Sequence, residues 1–551
     1  MRTLSRWGLV VGTLGFVASL TPSLIPRTVP MQGLLSGLCL AAGYGVGVAL
    51  RALWVYLELP MRKRIDTPRA QRTFFGVLAF VVFLALLRAP HWQNLVRRAM
   101  QQPDVEGGAV LGIAAIAALV FVLVLIAARL FMVLMRKLSR RMERRVPPRV
   151  ARAFGLVGAL VLVALIANGV VFRTALHMLD ASFREADARI APDTAPPTAP
   201  ESTGSAASLV AWDALGSAGR GFVASAPTAA RIARFTSQPT MTPLRVYAGL
   251  PAADTAQARA QLALRELERV GGFSRAALII LTPTGSGWID PAAIDSVEYL
   301  YRGNVASVAV QYSYFSSPLS LLIEPDNGEE TARALFRAVY GHWRALPKDR
   351  RPKLYLHGLS LGAFNSARSA DTFEMLGDPV DGALWSGPPF ASRQWRALTD
   401  ARNPGTPEWL PEFRDGAFVR FRNQHGTPVP AGTPWGPMRV VFLQYASDAI
   451  TFFDQRDAFR EPAWMDTPRG PDVSPGMRWY PLVTSMQLAL DMMLSDSAPM
   501  GYGHVYAPSH YVDAWLDVTG LDDWSPAEVD TLKRVLDAQR RASLAKDEGS
   551  G

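Results

Sequence analysis

Leu354-Tyr-Leu-His-Gly-Leu-Ser-Leu-Gly362 is the stretch from which the fold of this chain is read. Its apolar run, Leu354 to Leu356, predicts a buried strand, and Gly358, Ser360 and Gly362 follow with the G-x-S-x-G spacing of a nucleophile elbow. The spacing has a steric cause. A serine in a sharp strand-to-helix turn holds strained backbone, and a Cβ two residues to either side would collide with the neighbouring strand or helix. Such a turn lifts Ser360 Oγ above the sheet edge and aims the Leu361 amide at a developing oxyanion. Ala363 to Ala370 then continues as a helix. In a chain with 44 glycines the bare motif arises readily in surface loops, so the apolar strand before it and the helix-compatible segment after it carry the reading.

Outward from this turn, strands and helices alternate. Leu244 to Ala248, Ala276 to Leu281, Val305 to Val310, Ala383 to Trp385 and Arg439 to Leu443 read as strands. Thr255 to Val270 and Thr331 to Trp343 read as amphipathic helices, and Tyr480 to Leu494 as a long apolar one. Alternation with short loops predicts a three-layer α/β fold with a mainly parallel sheet.

A serine needs a base, and the order that suits an elbow on such a sheet is nucleophile, acid, histidine. His425, His504 and His510 follow Ser360. His504 lies in a Gly-Tyr-Gly-His loop fit to present an imidazole. His425 falls in a turn before the last predicted strand, and His510 opens a helix-like stretch. His357 is too near Ser360 along the chain and is expected to pack at the strand end. For the acid, Asp448 comes directly off the Arg439 to Leu443 strand, with Asp454 and Asp457 as close competitors and a turn cap as the bland alternative. The second oxyanion donor is expected in Thr282-Pro-Thr-Gly-Ser-Gly-Trp288, at Thr284 and Gly285. No phosphate-binding glycine motif is present in that loop, and the scheme calls for no cofactor and no metal.

The first third of the chain has a different character. Five apolar stretches, Trp7 to Ile25, Leu34 to Tyr56, Phe74 to Leu87, Ala109 to Met135 and Ala153 to Val171, predict about five transmembrane helices, the third being short. Basic residues concentrate after the second stretch (Arg62, Lys63, Arg64, Arg69, Arg72) and after the fourth (Arg136 to Arg149). By the positive-inside rule those loops and the N-terminus are cytoplasmic, and an odd number of spans puts the rest of the chain on the outer side of the cytoplasmic membrane. Met1 to Leu20 also has a signal-peptide reading, which leaves that side unchanged. The expected divisions are 1–180 for the membrane helices, 181–240 for a linker whose Ala191 to Ser208 is a Pro-rich tether, and 241–551 for the catalytic domain.

Bulk properties agree with this division. The 551 residues are 49% hydrophobic with a formal charge of +10, and the mean hydropathy of +0.11 is high for a wholly soluble chain. Much of the positive charge sits in the two loops, so it reads as topology and lipid-headgroup contact, and no basic-aromatic patch points to nucleic acid. The lone Cys39 rules out an intrachain disulfide and a thiolate metal cluster.

Several longer motifs carry a resemblance: Thr282 to Trp288, Gln311-Tyr-Ser313, Arg351-Pro-Lys-Leu354, Ser360-Leu-Gly-Ala363, Gly387-Pro-Pro389, Pro407-Glu-Trp409, Leu443-Gln444 with Ser447-Asp448, Gly503-His504, and Ser23-Leu-Ile-Pro-Arg27. With them the chain resembles the membrane-anchored bacterial α/β-hydrolases that join a multi-span N-terminal domain to a C-terminal catalytic domain. The resemblance implies Ser360, Asp448 and His504 as the catalytic set. His357-Gly358-Leu359 departs from the Phe-Gly-Glu expected of relatives. The function expected is an esterase- or lipase-like serine hydrolase acting on an acyl ester or lipid-like substrate at the bilayer. One rival passes the acyl group to an envelope lipid or glycan. Another makes the spans a transporter or assembly platform and the outer domain a binding module. Against the latter, few ionisable residues lie deep in the apolar stretches.

Overall fold

The computed structural model describes the chain apart from residues 1–3, 61–66, 107–109, 143–146, 148–149, 151–153, 155, 160–182, 190–194, 371–374 and 551. Two compact units divide it.

The first unit holds α1 (Arg6–Ser19), α2 (Val29–Tyr56), α3 (Pro68–Ala99) and α4 (Val110–Met142). Local signals start these helices: the Ser5 hydroxyl accepts from the Gly8 amide, the Thr67 hydroxyl from the Ala70 amide, and Pro68 fills the first position of α3. Glycines let α1 and α2 touch backbone to backbone. A Cβ at Gly12 would stand 2.8 Å from the Leu40 carbonyl oxygen, and one at Gly47 2.4 Å from that of Trp7. Phe16, Leu20, Ala85, Leu86, Ala89, Ile113 and Ala117 form the core between helices. The outward faces stay apolar, with Leu53, Phe80, Leu87, Leu119 and Leu130 exposed.

Three of these helices, Val29–Tyr56, Pro68–Ala99 and Val110–Arg141, are long and apolar enough to cross a membrane. The third apolar stretch, short in sequence, is part of a 32-residue helix that continues through Pro90. The first stretch forms a helix of only 14 residues, because the chain breaks into turns before Pro22. Most of the fifth lies outside the described residues. The basic residues Arg136, Lys137, Arg140 and Arg141 form the last turns of α4, where positive charge complements the helix dipole.

The second unit is built on a seven-stranded sheet of order β1-β3-β2-β4-β5-β7-β6, parallel throughout. The strands are β1 (Leu244–Ala248), β2 (Ala277–Thr282), β3 (Val305–Val310), β4 (Lys353–Leu359), β5 (Gly382–Ser386), β6 (Val419–Arg422) and β7 (Arg439–Leu443). Their near-continuous apolar runs are buried on both faces, as a parallel sheet covered by helices requires. Ala277, Ile279 and Leu281 of β2 pack in one cluster with Ile294 and Trp515, while Leu278 and Ile280 point to the opposite face.

Helices α5 (Gly216–Ala224), α6 (Ala256–Arg269), α7 (Pro291–Leu300), α8 (Asn327–Ala345) and α9 (Leu361–Ser369) alternate with the strands. The chain then lends α10 (Val483–Met493) to the helical unit and returns for α11 (Pro508–Thr519) and α12 (Pro526–Ser550). α6, α8 and α9 pack together on one side, and α7, α11 and α12 on the other. Strand order reverses direction around β4, which is where open α/β sheets carry their sites.

Three features differ from expectation. β6, Val-Arg-Phe-Arg, has too little apolar character to be read as a strand, yet it pairs with β7 at the sheet edge. The Pro-rich tether is held down in its described part: Thr203 and Ser205 are buried, Arg269 donates to the Pro200 carbonyl at 2.6 Å, and Glu266 accepts from Ser208 Oγ at 2.7 Å and from the Leu209 amide at 2.9 Å. A segment without a core of its own thus borrows the polar face of α6. Finally, Phe453–Met465 and Pro471–Ala498 group with the helical unit. Gly219 to Phe222 is part of α5, whose Phe222 carbonyl accepts from Arg245 of β1 at 2.7 Å.

Candidate active site

β4 ends at Ser360, whose φ of 57° and ψ of −125° place a non-glycine residue in strained backbone. The turn is held from both sides: the Ser360 amide donates to the Ser386 carbonyl at 2.9 Å, and the Ser360 carbonyl accepts the first helical bond, from Phe364, at 3.1 Å. The flanking glycines are sterically required. A Cβ on Gly358 would lie 2.4 Å from the Gly362 carbonyl carbon, and one on Gly362 would lie 2.2 Å from the Thr282 carbonyl oxygen at the end of β2. The collision inferred from spacing is therefore with the helix on one side and the adjacent strand on the other.

Asp448 follows β7 and is fully buried. Its Oδ2 accepts from His504 Nδ1 at 2.7 Å and from the Tyr506 hydroxyl at 2.8 Å, and its Oδ1 accepts the Ile450 amide at 3.0 Å. His504 comes from the loop before α11. A bridge between Tyr502 and Val505 closes that loop, and the Gly503 amide donates to Ser447 Oγ at 2.9 Å. Beside the aspartate, Ser447 thus holds the loop that carries the imidazole.

Gly387, with φ +48°, lies against the imidazole. A Cβ there would stand 2.5 Å from His504 Cε1 and 2.9 Å from Nδ1. The preceding carbonyl, that of Ser386, is the one that accepts the Ser360 amide. Ser360 and His504 are both buried, at 7% and 6% exposure, and the strained serine and the carboxylate-held imidazole flank the same Ser386–Gly387 backbone. The imidazole thus turns its Nδ1 to the carboxylate.

The competing residues have other surroundings. His510 Nδ1 meets the Tyr445 hydroxyl at 2.6 Å, and burial pushes this imidazole down to about 4. His425 is exposed beside the Asn423 turn. Asp454 and Asp457 cap a single turn of helix together, in the helical unit. His357 packs as expected at the end of β4: Nδ1 lies 2.8 Å from the Leu384 carbonyl, Trp515 is beside the ring, and burial lowers its pKa to about 4.

The expected oxyanion donors divide. Leu361 opens α9, the position that leaves its amide without a helical acceptor. The Thr284 amide instead donates to the Trp288 carbonyl at 2.9 Å and the Gly285 amide to Ser317 Oγ at 3.1 Å. The Thr284 bond closes the loop as a turn, and the Gly285 bond ties it to Ser317. Sequence reasoning passed over Tyr506 and named Gly387 only within a motif, without a role. A period-two alternation from His504 puts Tyr506 on the same side of an extended segment and was the signal for the first. Among the described residues no group of three His, Cys, Asp or Glu is placed to hold a metal ion.

Comparison with known families gives two matches. A model described as an alpha/beta-hydrolase family matches residues 244–532, and one described as the N-terminus of an alpha/beta-hydrolase family matches residues 20–227. No curated protein and no solved structure matches the chain.

Proposed function

Because the chain belongs to this alpha/beta-hydrolase family, we propose that it is an integral membrane serine hydrolase that cleaves an acyl ester or thioester through an acyl-enzyme. The observation that carries the reading is the strained Ser360 turn set against the same corner as an imidazole held by Asp448 at 2.7 Å. Ser360 Oγ attacks the carbonyl carbon while His504 Nε2 takes its proton. Asp448 holds the tautomer and stabilises the imidazolium, and Tyr506 shares the carboxylate charge. The Leu361 amide donates to the oxyanion. As the tetrahedral intermediate collapses, the imidazolium returns the proton to the leaving alcohol or thiol. Water, activated by the same nitrogen, then releases the acid.

Apolar helices favour a bilayer as partner, and a substrate with an acyl chain is concentrated there. The charge pattern supports a cytoplasmic-membrane location with the catalytic unit outside. Burial of both reacting groups also favours a second reading, transfer of the acyl group to an alcohol on an envelope lipid or glycan, because a site that sheds water spares the acyl-enzyme. Fluorophosphonate labelling and turnover of p-nitrophenyl esters of graded length test the proposal. Wild type is expected to label and turn over, and Ser360→Ala to do neither. Equal labelling of the two would remove Ser360 as nucleophile. Adding an alcohol acceptor and measuring acid against transferred product separates hydrolysis from transfer.

A further inference from the structure

The helical unit holds a cleft of its own. It lies among the α1–α2 connection, the last turns of α3 and the start of α4, and its volume is about 90 Å³. Liquid water takes about 30 Å³ per molecule, so the space suits a group of a few heavy atoms. Its deep wall is apolar, with Leu20, Ala89 and Ile113 buried. Beside them is a fixed polar floor. Arg27 is paired with Asp491 at 3.0 Å, with no exposed side-chain surface on either, and its Nη1 donates to Gln32 Oε1 at 3.2 Å. Gln93 donates to the same Gln32 oxygen at 3.3 Å and accepts the Arg27 amide at 3.0 Å. One amide hydrogen of Gln93 is left over.

The rim is folded in place as well. Asn94 exchanges two hydrogen bonds with the Val105 backbone, at 2.9 Å and 3.2 Å, and Arg97 Nε donates to the Pro103 carbonyl at 2.7 Å. Two charged side chains line the mouth, Arg97 and Glu106. Nearby charges are matched, Arg27 by Asp491 and Arg98 by Asp104. Among the described residues neither Arg97 nor Glu106 has an ion-pair partner. The end of a membrane helix lies at the level of the lipid headgroups. A cation and a carboxylate over an apolar wall at that level fit a ligand with a phosphate, an ammonium and an acyl tail. An anionic headgroup would satisfy Arg97 and be repelled by Glu106, whereas a zwitterion satisfies both. A primary ammonium suits the carboxylate best, because it donates hydrogen bonds.

We propose that this cleft binds a zwitterionic phospholipid with a primary amine, its phosphate on Arg97 and Gln93, its ammonium on Glu106 and its acyl chains along the apolar wall. The proposal goes beyond the hydrolase reading and rests on the placement of these helices in a bilayer. The test uses full-length protein, as wild type, Arg97→Gln and Glu106→Gln. Membranes are first washed with alkaline carbonate, and the protein is then delipidated in detergent. It is titrated with dioleoyl phosphatidylethanolamine, dioleoyl phosphatidylglycerol or soluble glycerophosphoethanolamine, and bound lipid is read by native mass spectrometry beside the melting temperature. Wild type is expected to prefer the ethanolamine lipid about tenfold over the glycerol lipid, and Arg97→Gln to bind it about tenfold more weakly. Glu106→Gln is expected to lose the preference. A wild type that binds both lipids alike, or a Glu106→Gln variant with undiminished preference, overturns the proposal. If Arg97→Gln does not fold, the exposed Glu106 decides alone. Equal stabilisation by glycerophosphoethanolamine overturns the assignment to a lipid. Release of the protein by carbonate removes the bilayer placement itself, whatever the lipids do.

Discussion

At Gly387 a single hydrogen atom separates the end of β5 from the imidazole. Gly387→Ala adds a Cβ 2.5 Å from His504 Cε1 at a φ of +48° that alanine resists. The ring must move, and on the proposed role of His504 as base a misplacement of about 1 Å is expected to lower kcat by about a hundredfold. Steady-state kinetics with the melting temperature checked alongside tests this, and wild-type kcat in a folded variant refutes it. His357 makes a pH prediction. Its pKa when folded, about 4, lies below the ordinary value of 6.5, so the unfolded chain binds the extra proton between those values. Its contribution is fully present above about pH 6.5 and is lost as pH falls toward about 4, at most on the order of 3 kcal/mol. Thermal unfolding at pH 7 and pH 5 is expected to show a smaller acid loss in His357→Gln than in wild type. Parallel losses would contradict the assignment.

Among the elements, β1 and α7 are joined by a buried charge cluster. Arg245 pairs with Glu298 at 2.6 Å and with Asp295 at 2.8 Å. Burial pushes Glu298 up to about 7 despite the arginine, so the carboxylate depends on its partner. Arg245→Met strands it and is expected to cost about 3–5 kcal/mol, whereas Arg245→Met with Glu298→Leu recovers most of that. Chemical denaturation of the three proteins decides, and a double variant no better than the single one would refute the account. The elements also show what pattern reading reaches. The predicted strands and helices are present because burial on both faces of a parallel sheet demands long apolar runs, which are visible one residue at a time. β6 escaped because an edge strand needs only two buried side chains, Arg420 and Phe421, and half of its alternation is arginine.

For the molecule as a whole, the arrangement about the bilayer is the property with the most direct test. The native Cys39 is buried, so engineered cysteines report against a quiet background. Glu58, after α2, and Asp349, in the sheet unit, are exposed. An impermeant maleimide applied to spheroplasts is expected to label Asp349→Cys and to spare Glu58→Cys until the membrane is opened. The reverse pattern would invert the proposed topology.

From sequence alone came the α/β architecture, the glycine-flanked serine turn and the apolar helices, because each leaves a local trace: a period, a steric spacing or an apolar run. Tertiary structure decided which side chains surround Asp448 and where Phe453–Met465 and Pro471–Ala498 belong. Tyr506 and Gly387 matter only through what they touch. The Arg27–Asp491 pair joins residues more than four hundred positions apart, and burial, which makes such a pair depend on one geometry, is a property of packing that no linear pattern records.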